Sequence, residues 1–191
     1  MPSPNRSRQT QRNPVNKRDI VWKLAYLVIA GGVFLIDQAS KAWAVRRLRF
    51  GEDIPVIQGF LNFAYAQNTG VAFSMLDDHG NAGRWGLSIV AIVAAILVLY
   101  FFWRTPRSDD RILGALALLL SGIAGNVTDR LRLGFVVDFI DVQFGSWHYP
   151  TFNVADMAIC VGAGLLILDM FLSKRSQNTE VSSQKSEVSS Q

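Results

Sequence analysis

Apolar residues gather in four blocks along the chain, at about 24–36, 85–103, 112–128 and 154–172, with polar loops between them and polar ends outside them. The middle two carry no charged side chain, and the fourth is interrupted by Asp156 and Asp169. Roughly 20 apolar residues in a helix span the hydrocarbon core of a bilayer. The pattern therefore predicts four transmembrane helices, at about 22–42, 85–103, 111–130 and 153–172. The first block is read as a retained anchor. It is followed by Asp37-Gln38-Ala39-Ser40-Lys41, not by a small-residue cleavage site, and a long basic arm precedes it.

The loops add a second kind of element. The first runs from about 41 to 84, too long for a simple connection. Within it, 54–66 is rich in β-branched and aromatic residues, Asn68-Thr69-Gly70 is a turn signal, and 71–75 is a second short extended run. In 135–144, Phe135, Val137 and Phe139 fall on one face of a strand and Val136, Asp138 and Ile140 on the other. The fold class expected is an α-helical membrane protein with a small sheet resting at the membrane surface. Residues 1–19 and 174–191 are polar, and read as a disordered arm and tail around a membrane domain at 20–173.

Charge orients this arrangement. Of the 19 basic residues, 12 lie in the N-terminal arm, the loop near 104–111 and the C-terminal tail, and seven on the other side. Short loops rich in Lys and Arg stay in the cytoplasm, so both termini are expected there. Arg46, Arg47 and Arg49 run against the trend, and are read as lying at lipid headgroups. The basic residues flank spans and form no stripe, which argues against nucleic acid as a partner.

Against this background, Asp138 and Asp156 stand out. A carboxylate in or beside a membrane span is costly, and by default marks a functional site. Each has an ordinary explanation when taken alone. Asn153 is placed to cap the fourth helix, with Asp156 in its first turn where the dipole favours a negative charge. Asp37 and Lys41, at i and i+4, make a plausible ion pair. Asn126, Asp129 and Arg130 share one face at the end of the third span, and Asn68 and Gly70 belong to a turn. Together, however, Asp37, Asn68, Asn126, Asp129, Arg130, Asp138, Asn153 and Asp156 all fall at one membrane face. His79 and His148 lack metal-ligand spacing, Cys160 reads as a small apolar filler, and the adjacent Ser40 and Lys41 diverge on a helix. No metal and no cofactor is expected.

The motifs Asp37-Gln38-Ala39-Ser40-Lys41, Asn68-Thr69-Gly70-Val71-Ala72-Phe73, Gly125-Asn126-Val127-Thr128-Asp129-Arg130, Val137-Asp138-Phe139 and Phe152-Asn153-Val154-Ala155-Asp156 resemble, in order, those of the lipoprotein signal peptidases (signal peptidase II). The likeness covers about residues 20–172; Ser121 stands where that family often has glycine. It implies four transmembrane helices with a small periplasmic β-cradle and a helix-containing periplasmic loop. It also implies an intramembrane aspartyl endopeptidase of the bacterial inner membrane that cleaves diacylglyceryl-modified prolipoproteins before the lipidated cysteine. On that resemblance Asp138 and Asp156 are the catalytic pair. Asp37, Lys41, Asn68, Gly70, Asn126, Asp129, Arg130, Asn153 and Ala155 bind substrate or support the pair. The partners implied are the prolipoprotein, membrane lipids and the cyclic-peptide inhibitor globomycin, and a monomer is expected. A proton-coupled transporter is the competing class. It would spread its acids through the bilayer depth, whereas here Asp169 alone lies near the opposite side.

Overall fold

The computed structural model describes residues 17–70 and 81–189. Four helices, α1 (Lys17–Arg47), α2 (Asn81–Arg104), α3 (Asp110–Leu133) and α4 (Val154–Ser189), are joined by four short strands, β1 (Ile54–Ile57), β2 (Leu61–Asn68), β3 (Val136–Phe144) and β4 (Trp147–His148). Each helix holds a stretch long and apolar enough to cross a membrane: Asp19–Arg47, Arg84–Arg104, Asp110–Leu133 and Val154–Lys174. Their outward faces carry exposed Val28, Leu35, Val90, Ile96, Met170 and Phe171. An apolar surface this extensive suits lipid and would aggregate in water.

α3 is the central helix. Half of its apolar stretch is buried inside the protein, against 11–17% for the other three, and it packs on α1, α2 and α4. The reason lies in its small residues, which let backbones approach closely in the absence of a hydrophobic drive between helices. A Cβ added at Gly122 would meet the Ala155 carbonyl oxygen of α4 and, at 2.7 Å, Ile159 Cγ1. At Gly125 it would lie 2.5 Å from Asp37 Oδ2 and 3.2 Å from Ala155 Cβ. Gly125→Ala is accordingly expected to push α1 and α4 off α3, costing about 1–3 kcal/mol by overpacking. Thermal unfolding in detergent checks this, with Gly164→Ala as control, because a Cβ there meets nothing within 4 Å.

α3 ends at Gly134, whose φ of 90° gives the left-handed cap that glycine adopts without steric penalty. The Gly134 N–H donates to the Arg130 carbonyl. Arg84 of α2 adds Nε to the Arg130 carbonyl at 2.8 Å and Nη2 to that of Leu131 at 2.6 Å. The chain thus turns sharply into β3.

The strands form one antiparallel sheet in the order β1-β2-β3-β4. Phe63 pairs with Ile140, but Ala66 with Asp138, so β2 carries one extra residue at a bulge. Without it Tyr65 would oppose Asp138. The extra residue instead brings Ala66, and with it Asn68 two positions on, to the face of the sheet that holds Asp138. Beyond the sheet, Phe152 bridges back to Ile140, donating to its carbonyl at 3.1 Å and accepting its N–H at 2.9 Å. That bridge sets the start of α4 beside β3. Ala44 of α1 and Leu48, just past its end, pack with Val137 and Phe139 beneath the sheet, fixing it to the end of the helix bundle.

Two readings need correction. α4 continues to Ser189, through the residues read as a disordered tail; after Gly164 the sequence contains neither glycine nor proline to stop it. Cys160 is exposed on α4 and fills no interior gap. The extended run at 71–75 and His79 lie outside the described residues, and between residues 48 and 70 the loop carries strands and no helix.

Candidate active site

The site is assembled where β3 meets the first turn of α4. Asn153, fully buried, caps α4: its Oδ1 accepts the Asp156 N–H at 2.9 Å, and Asp156 Oδ2 accepts the Asn153 N–H at 3.2 Å. This reciprocal pair is a capping box with Asp in the acidic position, so the ordinary helix-end explanation of Asp156 holds locally. It does not exhaust either side chain. The Asn153 Nδ2 donates to Asp138 Oδ1 at 2.6 Å, with the Val137 carbonyl at 3.2 Å and Asn126 Oδ1 at 3.3 Å also in reach. Asn126 Nδ2 in turn donates to Asp156 Oδ1 at 2.7 Å. Two asparagines, from α3 and from the cap of α4, therefore tie the carboxylate of β3 to that of α4.

Asp138 is 2% exposed, and its carboxyl is pushed up to about 6. Burial is the main cause and the negative charge of Asp156 the second, while amides of Asn68 and Asn153 and the Lys41 charge pull the other way. A buried acid beside a second carboxylate is held protonated longer because a second negative charge there is unfavourable.

Behind these acids lies a buried ionic cluster. The Lys41 ammonium has three N–H groups and meets three acceptors: Asn126 Oδ1 at 2.9 Å, Asp37 Oδ2 at 3.0 Å and Asp129 Oδ2 at 3.0 Å. Asp37 Oδ1 accepts the Ala155 N–H at 2.9 Å, and Asp129 Oδ2 accepts the Val137 N–H at 3.2 Å. These two carboxylates hold backbone on either side of the acid pair, one next to Asp156 and one next to Asp138. Ala155 contributes its backbone N–H, and its Cβ packs against Gly125. Asn126 joins the ionic cluster to the acids, accepting from Lys41 and donating to Asp156.

Asn68 reaches Asp138 through its amide and accepts the Gly70 N–H on Oδ1 at 3.1 Å. Gly70 has φ of 74°, and a Cβ there would collide with Leu87. Arg130 does not pair with Asp129, because Lys41, Gln38 and the Val137 N–H occupy that carboxylate. The Arg130 guanidinium feels Asp156, Asp138 and Asp129 electrostatically, and its buried Nε has no partner among the described residues.

Sequence reasoning missed two features. Gln38 Nε2 donates within the same cluster, with Asp37 Oδ2 and Asp129 Oδ1 at 3.1 Å and the Gly125 carbonyl at 3.3 Å. Its signal was available: a polar residue immediately beside Asp37 at the end of an apolar helix. On the sheet, Asp141 accepts from Asn62 at 3.0 Å and contacts His148 Nδ1 at 3.0 Å. Burial pushes the Asp141 carboxyl up, but these two partners hold it below the usual range. Only the strand register, Asn62 opposite Asp141, brings that group together.

Comparison with known proteins places the whole arrangement. The family model described as signal peptidase (SPase) II matches residues 23–172. The lipoprotein signal peptidase of Shewanella loihica is 44% identical over 148 residues, covering 78% of this chain and 86% of its own. That of Photorhabdus laumondii is 40% identical over 167 residues, covering 87% of this chain and 99% of its own. A bacterial membrane enzyme solved by the in meso method at 1.9 Å superposes with a TM-score of 0.69 at 32% identity, over 76% of this chain and 92% of its own. With that family model spanning both acids, the ionic cluster behind them and all four membrane helices, the chain belongs to the signal peptidase II family.

Proposed function

We propose that this membrane peptidase is an aspartic endopeptidase that removes the signal peptide from diacylglyceryl-modified prolipoproteins, cutting before the lipidated cysteine. The observation that best supports this is the linkage of Asp138 and Asp156, on separate elements, through the amides of Asn153 and Asn126. Two carboxylates held together in a buried site share one proton. The ionised member takes a proton from water, which attacks the scissile carbonyl. The protonated member polarises that carbonyl and then protonates the leaving amine. The raised Asp138 carboxyl makes it the natural carrier of the shared proton, although the titration belongs to the pair.

The remaining residues serve geometry. Asn126 and Asn153 orient the acids, Asp37, Lys41 and Asp129 hold the backbone on either side of them, and Asn68 with Gly70 presents the β2 end to the substrate backbone. Arg130 adds positive charge beside the acids. The acyl chains of the substrate lie among the apolar spans, and globomycin competes for the acids. The protein works as a monomer in the bacterial inner membrane, with its termini in the cytoplasm, the strands forming a periplasmic cradle and the site opening on the outer side. The reaction uses no metal or cofactor.

Purified full-length protein in detergent is expected to cut a lipobox peptide bearing a diacylglyceryl cysteine, equally with and without chelator, and to yield a product that begins at that cysteine. No cleavage, cleavage at another bond or loss of activity in chelator would refute the proposal. The pH dependence follows from Asp138. Its proton is retained below about 6 and lost above, so kcat/KM should decline as pH rises through 6 towards 8, approaching tenfold per unit. Initial rates across pH 5–8 check this.

A further inference from the structure

One cavity in the membrane domain has no place in the peptidase chemistry. It occupies about 220 Å³ between the ends of α1 and α3 and is lined by Gln38, Lys41, Val45, Arg46, Asp129, Arg132, Leu133 and Val137, among others. Its inner wall is the Lys41–Asp129 ion pair. Its mouth carries Arg46 and Arg132, both exposed, one from each helix.

The charges do not balance. Lys41 is neutralised by Asp37 and Asp129, which leaves Arg46 and Arg132 as the uncompensated cations of the lining. Both Asp129 oxygens are already engaged by Lys41, Gln38 and the Val137 N–H. Neither Arg46 nor Arg132 has a carboxylate or hydrogen-bond partner among the described residues. Two guanidiniums brought to one opening by different helices repel each other unless an anion lies between them. Arginine forks suit phosphate oxygens, and these two lie where membrane helices end, at the level of lipid headgroups. Val45, Leu133 and Val137 give the same cavity an apolar side for the glycerol and upper acyl carbons.

We infer that the cavity between α1 and α3 is a seat for the phosphodiester headgroup of an anionic membrane phospholipid, held by Arg46 and Arg132. The lipid bound here is neither substrate nor product. The seat joins the acid pair through Lys41 and Asn126, so an occupied cavity lies against the ionic cluster that holds the acids.

The test uses the full-length protein, wild type and Arg46→Gln/Arg132→Gln, in nanodiscs of phosphatidylcholine with 0, 10 or 30% phosphatidylglycerol. Lipid retained on release from the nanodisc is read by native mass spectrometry. Wild type should keep one phosphatidylglycerol in preference to phosphatidylcholine. The double variant should lose that preference by about fivefold for each arginine removed, the size of one basic residue's attraction to an anionic surface. Inorganic phosphate at 10 mM should not displace the lipid. Equal retention by the double variant, no preference for phosphatidylglycerol in wild type, or displacement by inorganic phosphate would each overturn the assignment, the last marking a site for a free anion. The single variants Arg46→Gln and Arg132→Gln are run alongside. If the double variant fails to fold, the singles decide, with loss of preference in both supporting the seat and loss in neither overturning it.

Discussion

Asp138→Asn and Asp156→Asn are each expected to lower kcat on a diacylglyceryl precursor by about 10³-fold or more, because positioned general acid–base catalysis contributes typically 10²–10⁴ and each variant removes one member of a pair that works as a unit. The two variants should differ in stability. Asp138 is a buried acid whose carboxyl is raised to about 6. A raised acid contributes stability that is fully present below the ordinary carboxylate range and lost as pH rises through the folded value. At pH 7.5 the ionised, buried Asp138 therefore weakens the fold. Asparagine is neutral and keeps an oxygen for the Asn153 Nδ2 bond, so Asp138→Asn should unfold at the wild-type temperature or above while losing its activity. Asp156→Asn should unfold somewhat earlier. Asp156 accepts both from Asn126 and from the Asn153 N–H, and an asparagine amide supplies only one acceptor oxygen. Melting curves in detergent at pH 5 and 7.5 check this, and protein recovery separates catalysis from folding.

The second large effect concerns Lys41, which is 3% exposed and has all three of its N–H groups engaged. Lys41→Met keeps the length of the side chain and removes the charge, leaving Asp37 and Asp129 as buried carboxylates without their cation. Breaking a buried pair from one side costs about 3–5 kcal/mol, and here two acids are stranded. The variant is expected to melt far below wild type and to lose activity, since the same acids hold the Ala155 and Val137 N–H groups beside Asp156 and Asp138. Lys41→Arg should not rescue it, because a planar guanidinium fits a two-pronged acceptor better than this three-way convergence. Lys41→Met/Asp129→Asn should recover part of the stability by removing one stranded charge. A melting temperature unchanged in Lys41→Met would show that the cluster contributes little.

Much of this was legible in the residues, for reasons that can be named. The four helices were readable because each apolar block approaches the thickness of a bilayer. Asp37 with Lys41, and Asn153 with Asp156, were readable because helical spacing of three or four residues brings side chains together locally. The partner of Asp129 was not. Arg130 is its neighbour in sequence, but Lys41 lies 88 positions earlier and reaches it only because α1 packs on α3. The β2 bulge that turns Asn68 towards Asp138 was hidden too, since register depends on the opposing strand. So was the length of α4. A polar composition at 174–191 suggests disorder, while the absence of glycine and proline there lets the helix run on.

The central claim is that Asp138 and Asp156 form one catalytic unit, and the double variant Asp138→Asn/Asp156→Asn tests it most directly. Residues that act as a unit lose activity non-additively. Measured as kcat on a lipidated precursor beside both single variants, the double variant is predicted to retain the residual rate of the slower single variant to within about threefold. Losses that multiply, leaving the double variant a further factor of about 10³ below either single variant, would mean that the two carboxylates act independently, and would contradict the account.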